Sequence, residues 1–190
     1  MALLLARPED APALLAIYGQ YINTPVTLEY QLPDEAEFAR RISAVLERYP
    51  YLVWEEEGAL LGYAYAHPEQ SRAGYQWNAE LSIYLDRAAV GRGLGRRLLG
   101  ALLDLLTAQG VRTVYSAVTR PNPASEGLHR AFGFHKLGVY RNTGYKNGAW
   151  VDVAWFDRAL SSYSPNPASV LPLPRLDRRV LEEILTAYSR

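Results

Sequence analysis

Glu80-Leu81-Ser82-Ile83-Tyr84-Leu85 leads through Val90-Gly91-Arg92-Gly93-Leu94-Gly95-Arg96-Arg97 into a leucine-rich run that reaches Leu106. The stretch reads as a strand, a glycine turn and a helix. Successive strand side chains point to opposite faces, so Leu81, Ile83 and Leu85 share one face and Glu80, Ser82 and Tyr84 the other. A single carboxylate, Glu80, therefore sits in an otherwise uncharged strand. The glycines remove Cβ atoms where backbone must approach a ligand, and they open a helix whose first amides have no intrahelical partner. Such amides suit a phosphate, and the flanking arginines add positive charge. A glycine turn alone is more often only a turn. No Gly-Lys-Ser/Thr ending makes this a P-loop, and the third glycine of a dinucleotide fingerprint is missing.

Working outward, Leu3 to Leu5 reads as a first strand ended by Pro8, and Asp10 as the cap of a helix carrying Leu14, Leu15, Ile17, Tyr18 and Tyr21. After a loop from Asn23 to Pro33, Asp34 caps a second helix with Phe38, Ile42, Val45 and Leu46. Tyr51 to Glu55 and Leu60 to Ala66 form a hairpin around Glu57-Gly58. Downstream of the leucine-rich helix, Gly110 is a C-cap and Val111 to Val118 a β-branched strand. Arg120-Pro121-Asn122-Pro123 opens a short helix to Phe132, and Phe134 to Tyr140 and Val151 to Ala159 are the last strands, around Lys146-Asn147-Gly148. The order β-α-α-β-β-β-α-β-α-β-β predicts an α/β (α+β) fold with a mixed, mostly antiparallel sheet and helices on both faces.

Of the 190 residues 49 % are hydrophobic, enough for one domain (residues 1–160) with an appendage (residues 161–190). Twenty basic and twenty acidic residues leave a formal net charge of zero, which argues against a nucleic-acid partner, and no apolar run is long enough for a membrane span. With no cysteine there is no disulfide, thiolate nucleophile or cysteine metal site, and three scattered histidines lack metal-ligand spacing, so no metal is expected. The short apolar N-terminus followed by Glu9 and Asp10 is no signal peptide, and a cytoplasmic protein is expected. Ser161 to Pro174 is too rich in serine and proline for regular structure; beyond it Asp177 caps a helix with an apolar stripe of Val180, Leu181, Ile184, Leu185 and Tyr188.

The glycine loop, followed by Asn122, Ser125, Leu128-His129 and Gly133-Phe134, resembles the GCN5-related N-acetyltransferase (GNAT) superfamily over roughly Leu3 to Leu160. Val90 departs from the Arg or Gln usual at the first signature position. Glu47-Arg48-Tyr49-Pro50-Tyr51-Leu52-Val53, Gly62-Tyr63-Ala64-Tyr65-Ala66, Tyr75-Gln76-Trp77-Asn78-Ala79-Glu80 and Tyr145-Lys146 are similar to phosphinothricin N-acetyltransferases and their methionine sulfone and sulfoximine relatives. The resemblance implies acetyl-CoA as co-substrate, its pyrophosphate on Val90, Gly91, Arg92, Gly93, Leu94, Gly95 and Arg96. It further implies a pantetheine arm along Leu81, Ser82, Ile83, Tyr84 and Leu85, contacts from Asn122 and Ser125, and a homodimer.

Amine acetylation needs a base, because an ammonium is not a nucleophile. Glu80 is the candidate, flanked by Trp77 and Tyr84, which would exclude water and raise its pKa; a structural carboxylate is the alternative. His129 takes its role, acid or partner to Glu80, from the resemblance, since a lone helical histidine is more often structural. Arg72 and Tyr75 precede Glu80 by about a strand length and suit a substrate carboxylate, although a solvated turn arginine is as common. Thr27-Leu28-Glu29 stands where the family has Thr-Phe-Glu, which makes Thr27 and Glu29 further candidates for the acceptor site. The expected enzyme acetylates a small amino-acid-like amine; a protein N-terminal acetyltransferase and a non-catalytic acetyl-CoA-binding module are the alternatives. The terminal helix is expected to bury its stripe across a homodimer, with folding back onto its own domain as the alternative.

Overall fold

The computed structural model describes residues 1–190. Seven strands, β1 (Ala2–Leu5), β2 (Tyr51–Glu56), β3 (Ala59–Pro68), β4 (Asn78–Leu85), β5 (Thr113–Arg120), β6 (His135–Lys146) and β7 (Ala149–Ala159), form one sheet in the order β1-β2-β3-β4-β5-β7-β6. Every pairing is antiparallel except β4 with β5. Five helices accompany it: α1 (Ala11–Gly19), α2 (Glu35–Leu46), α3 (Leu94–Gln109), α4 (Pro123–Ala131) and α5 (Arg178–Ser189).

The local signals act as their chemistry dictates. Glu57 and Gly58 both take positive φ, as do Asn147 and Gly148, the two-residue turn geometry that matches strand twist in hairpins. Asp34 and Asp177 cap α2 and α5 by accepting from the amides of Glu37 and Arg179 at 2.7 and 2.8 Å. Asp10 behaves otherwise: its carboxylate accepts from the Arg7 amide at 2.7 Å, because the chain enters α1 through a 3-10 turn at Pro8–Asp10 rather than from an extended cap. The strand expected from Val111 is shifted to Thr113, and β6 runs on to Lys146 across irregular pairing at Lys136/Gly138 and Tyr140/Gly144. An exposed edge strand carries no alternation from which that length could be read.

The sheet separates two apolar layers. On one face α3 buries Leu98, Leu99, Leu102, Leu105 and Leu106 completely, against Ala79 and Leu81 of β4, Val114 and Val118 of β5, and Phe156 of β7. Full burial of each leucine contributes ~1.5–3 kcal/mol, which makes α3 the main anchor of the sheet. On the other face α1 and α2 bring Leu14, Ile17, Phe38 and Ile42 down on Tyr51, Val53 and Tyr63.

The terminal helix corrects the expectation that it leaves its domain. Leu181, Ile184, Leu185 and Tyr188 pack onto the main core, Ser189 Oγ accepts the Leu3 amide of the edge strand β1 at 2.9 Å, and Tyr188 Oη donates to Asp104 at 2.8 Å. Gly100 makes the fit: a Cβ there would lie within 2.5 Å of the Tyr188 ring. The preceding arm is held as it crosses the domain, where Gln109 Nε2 donates to the carbonyls of Arg48 and Leu171, both at 2.7 Å.

Candidate active site

The parallel ladder between β4 and β5 lasts only from Asn78↔Thr113 to Glu80↔Tyr115. Beyond it β4 continues to Leu85 beside β3 alone and β5 to Arg120 beside β7 alone. The strands part, so β4 has main-chain groups there with no partner on the β5 side. A cleft of about 690 Å³ fills the gap, with the start of α3 at one end and α4 along its side. Gly91 and Gly93 have φ of +85° and +83°, and Gly93 caps α3 without a side chain, so no cap competes for the first amides of the helix. Arg87 and Arg96 also line the cleft. Unpaired strand amides, bare helix amides and arginines fit an extended ligand that ends in a pyrophosphate.

Leu81, Ser82, Ile83, Tyr84, Leu85, Val90, Gly91, Gly93, Leu94, Gly95, Arg96, Asn122 and Ser125 all line this cleft. Arg92 does not, contrary to expectation: its guanidinium pairs with Glu56 of β2, the nearby opposite charge. Asn122 also caps α4, its Oδ1 accepting the Ser125 amide at 3.2 Å. Tyr21, Arg87 and the β5 residues Ser116 to Thr119 line the cleft without a sequence signal, since it exists only because two strands part.

Glu80 stands at the last rung of the ladder, half-buried, on the face turned away from the main core. Burial pushes its carboxyl above the usual range; His67, its partner across β3, pulls it down, and Glu69 adds a smaller upward push. His129 lies on α4, 3 % exposed, stacked on Phe156 at 5.6 Å and edge-on to Phe134 at 4.9 Å. Its Nδ1 is 2.8 Å from the Ser125 carbonyl and so carries the proton, which leaves Nε2 a buried lone pair without a partner. Burial lowers its pKa, so the ring is neutral near pH 7. His129 lines the cleft from the main-core side, and no hydrogen bond or ion pair joins it to Glu80, so the expected direct partnership is corrected. Trp77 is corrected as well: it packs on the main core and donates from Nε1 to the Ala168 carbonyl at 2.8 Å, binding the arm rather than shielding Glu80.

On the face of Glu80 the site is built from tyrosines. Tyr51 stacks on Tyr65 at 4.8 Å, Tyr63 on Tyr84 at 5.3 Å, and Tyr18 meets Tyr84 edge-on at 5.1 Å. Burial pushes the Tyr18 phenol up to about 12 and those of Tyr51, Tyr63 and Tyr84 well above their ordinary value, so all remain neutral hydrogen-bond donors. Tyr18, Tyr51, Tyr63 and Tyr65 line a second cavity of about 330 Å³ with Glu29 and Arg41. Thr27 Oγ1 is 2.6 Å from Tyr18 Oη, and Glu29 accepts from Arg41 Nη1 at 2.7 Å. Lys146, itself buried, donates to the Glu29 carbonyl, and Tyr30 Oη donates to that of Tyr145, which ties the early loop to the β6–β7 hairpin. Arg72 and Tyr75 are exposed in the turn before β4 and line neither cavity, contrary to expectation, because that turn lies beyond the far end of the β4–β5 ladder from the cleft.

Residues 3–155 match the acetyltransferase (GNAT) domain family. The chain is similar to a phosphinothricin N-acetyltransferase of Alcaligenes faecalis, 38 % identical over 161 residues that cover 83 % of this chain and 82 % of the relative. It is 33 % identical over 152 residues to an L-methionine sulfoximine/L-methionine sulfone acetyltransferase of Pseudomonas aeruginosa, covering 77 % and 87 %. Its fold superposes with a TM-score of 0.85 on a phosphinothricin acetyltransferase of Sinorhizobium meliloti solved in complex with AcCoA, at 37 % identity, with 92 % of this chain and 96 % of the other covered.

Proposed function

The chain belongs to the GNAT acetyltransferase family and is an acetyl-CoA-dependent N-acetyltransferase, and on that premise we propose that its acceptor is the primary amine of a small amino acid of the phosphinothricin, methionine sulfone or methionine sulfoximine type. The observation that carries the reading is that a cleft suited to a long phosphorylated ligand opens at Leu81 and Ser116, one residue beyond the Glu80–Tyr115 rung, beside a raised carboxylate that itself lines neither cavity. The ties between the Thr27–Tyr30 loop and the β6–β7 hairpin cover this side of the sheet, which suits a compact acceptor better than a protein chain.

Acetyl-CoA supplies an activated acetyl thioester. In this reading the α3 amides and Arg96 bind the pyrophosphate and the β5-facing main-chain groups of Leu81 to Leu85 hold the arm and polarise the thioester carbonyl. Asn122 and Ser125 line the same path. Glu80 takes the proton of the incoming ammonium at its carboxylate, directly or through one water. His129, neutral at rest, accepts at Nε2 the second proton that the nitrogen of the tetrahedral adduct loses and returns it to the departing sulfur as the C–S bond breaks. Thr27, Glu29 and the tyrosine layer orient the acceptor. An assay of thiol release over phosphinothricin, methionine sulfone, methionine sulfoximine, common amino acids, polyamines and peptides tests the reading: turnover of the first three is expected, and acetylation confined to peptide N-termini would overturn it.

The same reading places the enzyme in the cytoplasm, where acetyl-CoA is made, and makes it a homodimer. Since α5 packs on its own domain, the support for a dimer lies elsewhere: Tyr140, Trp150 and Tyr30 are 60, 64 and 67 % exposed on and beside the β6–β7 hairpin, an aromatic surface that a second copy would cover. Light scattering of the chain and of Trp150→Lys checks this, a dimer and a monomer being the respective expectations.

A further inference from the structure

Acetylation of an ammonium leaves one proton to discard. Of the three hydrogens on the attacking nitrogen one stays in the amide, one ends on sulfur in the free thiol, and one must reach water. If Glu80 is the base, as proposed above, that last proton rests on a half-buried carboxyl in the middle of a sheet. The groups around it narrow the choice of exit. Tyr65 and His67 approach from β3, Glu69 from just beyond the end of β3, and Tyr115 from β5, with Asp157 of β7 opposite Tyr115. The two phenols are pushed up by burial and stay neutral near pH 7, while Glu69 acts on Glu80 only as a like charge that pushes its carboxyl up.

His67 differs on each count. It is the Cα partner of Glu80 in the β3–β4 ladder, and side chains opposite one another on an antiparallel pair stand with Cβ atoms about 4.5–5.5 Å apart on one face. The charge on His67 acts on Glu80 across this pair, pulling its carboxyl down. Its Nδ1 is 3.0 Å from the Pro68 carbonyl and so holds the proton, making Nε2 the acceptor, and the ring is half-exposed to solvent. Imidazole is the side-chain type suited both to take up and to release a proton near neutrality.

We propose that His67 is the proton outlet of Glu80, a positioning residue that empties the base after each turnover. The O–H bond of the Glu80 carboxyl breaks as an N–H bond forms at His67 Nε2, directly or through one water. The resulting imidazolium then gives up its extra proton to solvent or buffer and regains the lone pair, with no change in redox state.

The test is steady-state turnover across pH at low buffer concentration, with phosphinothricin or methionine sulfone as acceptor, for the wild type, His67→Ala, His67→Gln and Glu80→Gln. Both His67 variants should lose roughly tenfold in kcat near neutrality, less than the about 10²-fold of a direct acid–base group, with KM for acetyl-CoA unchanged. Added imidazole should restore kcat in the His67 variants and leave Glu80→Gln inactive. Wild-type kcat in His67→Ala at low buffer, recovery by Gln, or a loss that imidazole does not relieve would overturn the outlet. Wild-type turnover in Glu80→Gln would instead overturn the base assignment beneath it, so the two failures are distinct.

Discussion

The two sides of β4 make their sites from different materials. Toward α3 and β5 the cleft relies largely on main chain: the β5-facing groups of Leu81 to Leu85 and the bare first turn of a helix behind Gly91 and Gly93. Toward α1 and α2 it relies on side chains: Glu80, Thr27, Glu29 and the ring layer of Tyr18, Tyr51, Tyr63, Tyr65 and Tyr84. A main-chain site has no side-chain identity to lose and yields only to a change of backbone conformation or bulk. A side-chain site changes with every substitution. Under the proposed function, such a division lets one scaffold hold a constant co-substrate while its acceptor varies.

The largest effect should come from the side-chain half. Glu80→Gln keeps shape but removes the proposed base, so kcat should fall by about 10²-fold or more while acetyl-CoA affinity, read by calorimetry, stays the same. In the wild type, Glu80 is protonated and idle below its pKa, so kcat should rise with pH through a value above the ordinary carboxylate range, in keeping with burial. That acid limb should vanish in the variant. A loss of cofactor affinity instead would blur the division between the halves.

Gly93→Val attacks the main-chain half. With φ at +83°, a β-branched residue there is strained by about 1–3 kcal/mol and must shift the turn that presents the α3 amides. Acetyl-CoA should bind about tenfold more weakly or worse, and unchanged calorimetric affinity would remove the loop from the site.

Tyr188→Ala sharpens the comparison by touching neither half. It leaves the notch at Gly100 empty and Asp104 without its phenol, so stability should drop by about 1–2 kcal/mol and Tm by a few degrees, with acetyl-CoA affinity intact.

His129 is a buried titratable side chain on the main-chain side, and its signature is acid stability. Its folded pKa is lowered by burial, so below pH about 6.5 the unfolded chain binds a proton that the native state refuses. Stability should therefore fall as pH drops from there toward the folded pKa, by at most about 1.4 kcal/mol per pH unit, and His129→Gln should flatten that slope in urea titrations across pH.

The strand, glycine loop and helix from Glu80 to Leu106 were legible because each rests on a local rule: a period of two, positive φ at glycine, and a leucine stripe at helical spacing. Asp34, Asp177 and the Asn147-Gly148 turn were legible for the same reason, since each acts within a few residues of itself. Asp10 departs from its expected role as a cap because a 3-10 turn leads into α1 and its carboxylate accepts from the Arg7 amide behind it in the chain. Of the site, thirteen expected cofactor residues came together in the cleft, and Arg92, Trp77, Arg72 and Tyr75 did not.

By itself the sequence determined the elements, their order and the residues able to bind a phosphate or take a proton, because propensity, periodicity and turn chemistry act over a few residues. The parting of β4 from β5 after Glu80, the separation of Glu80 from His129, the capture of Trp77 by Ala168 and the seat of Tyr188 on Gly100 were decided only in three dimensions. Each joins or divides segments far apart in the chain, and a pairing at that distance is chosen by the packing of whole faces, which no local pattern of residues encodes.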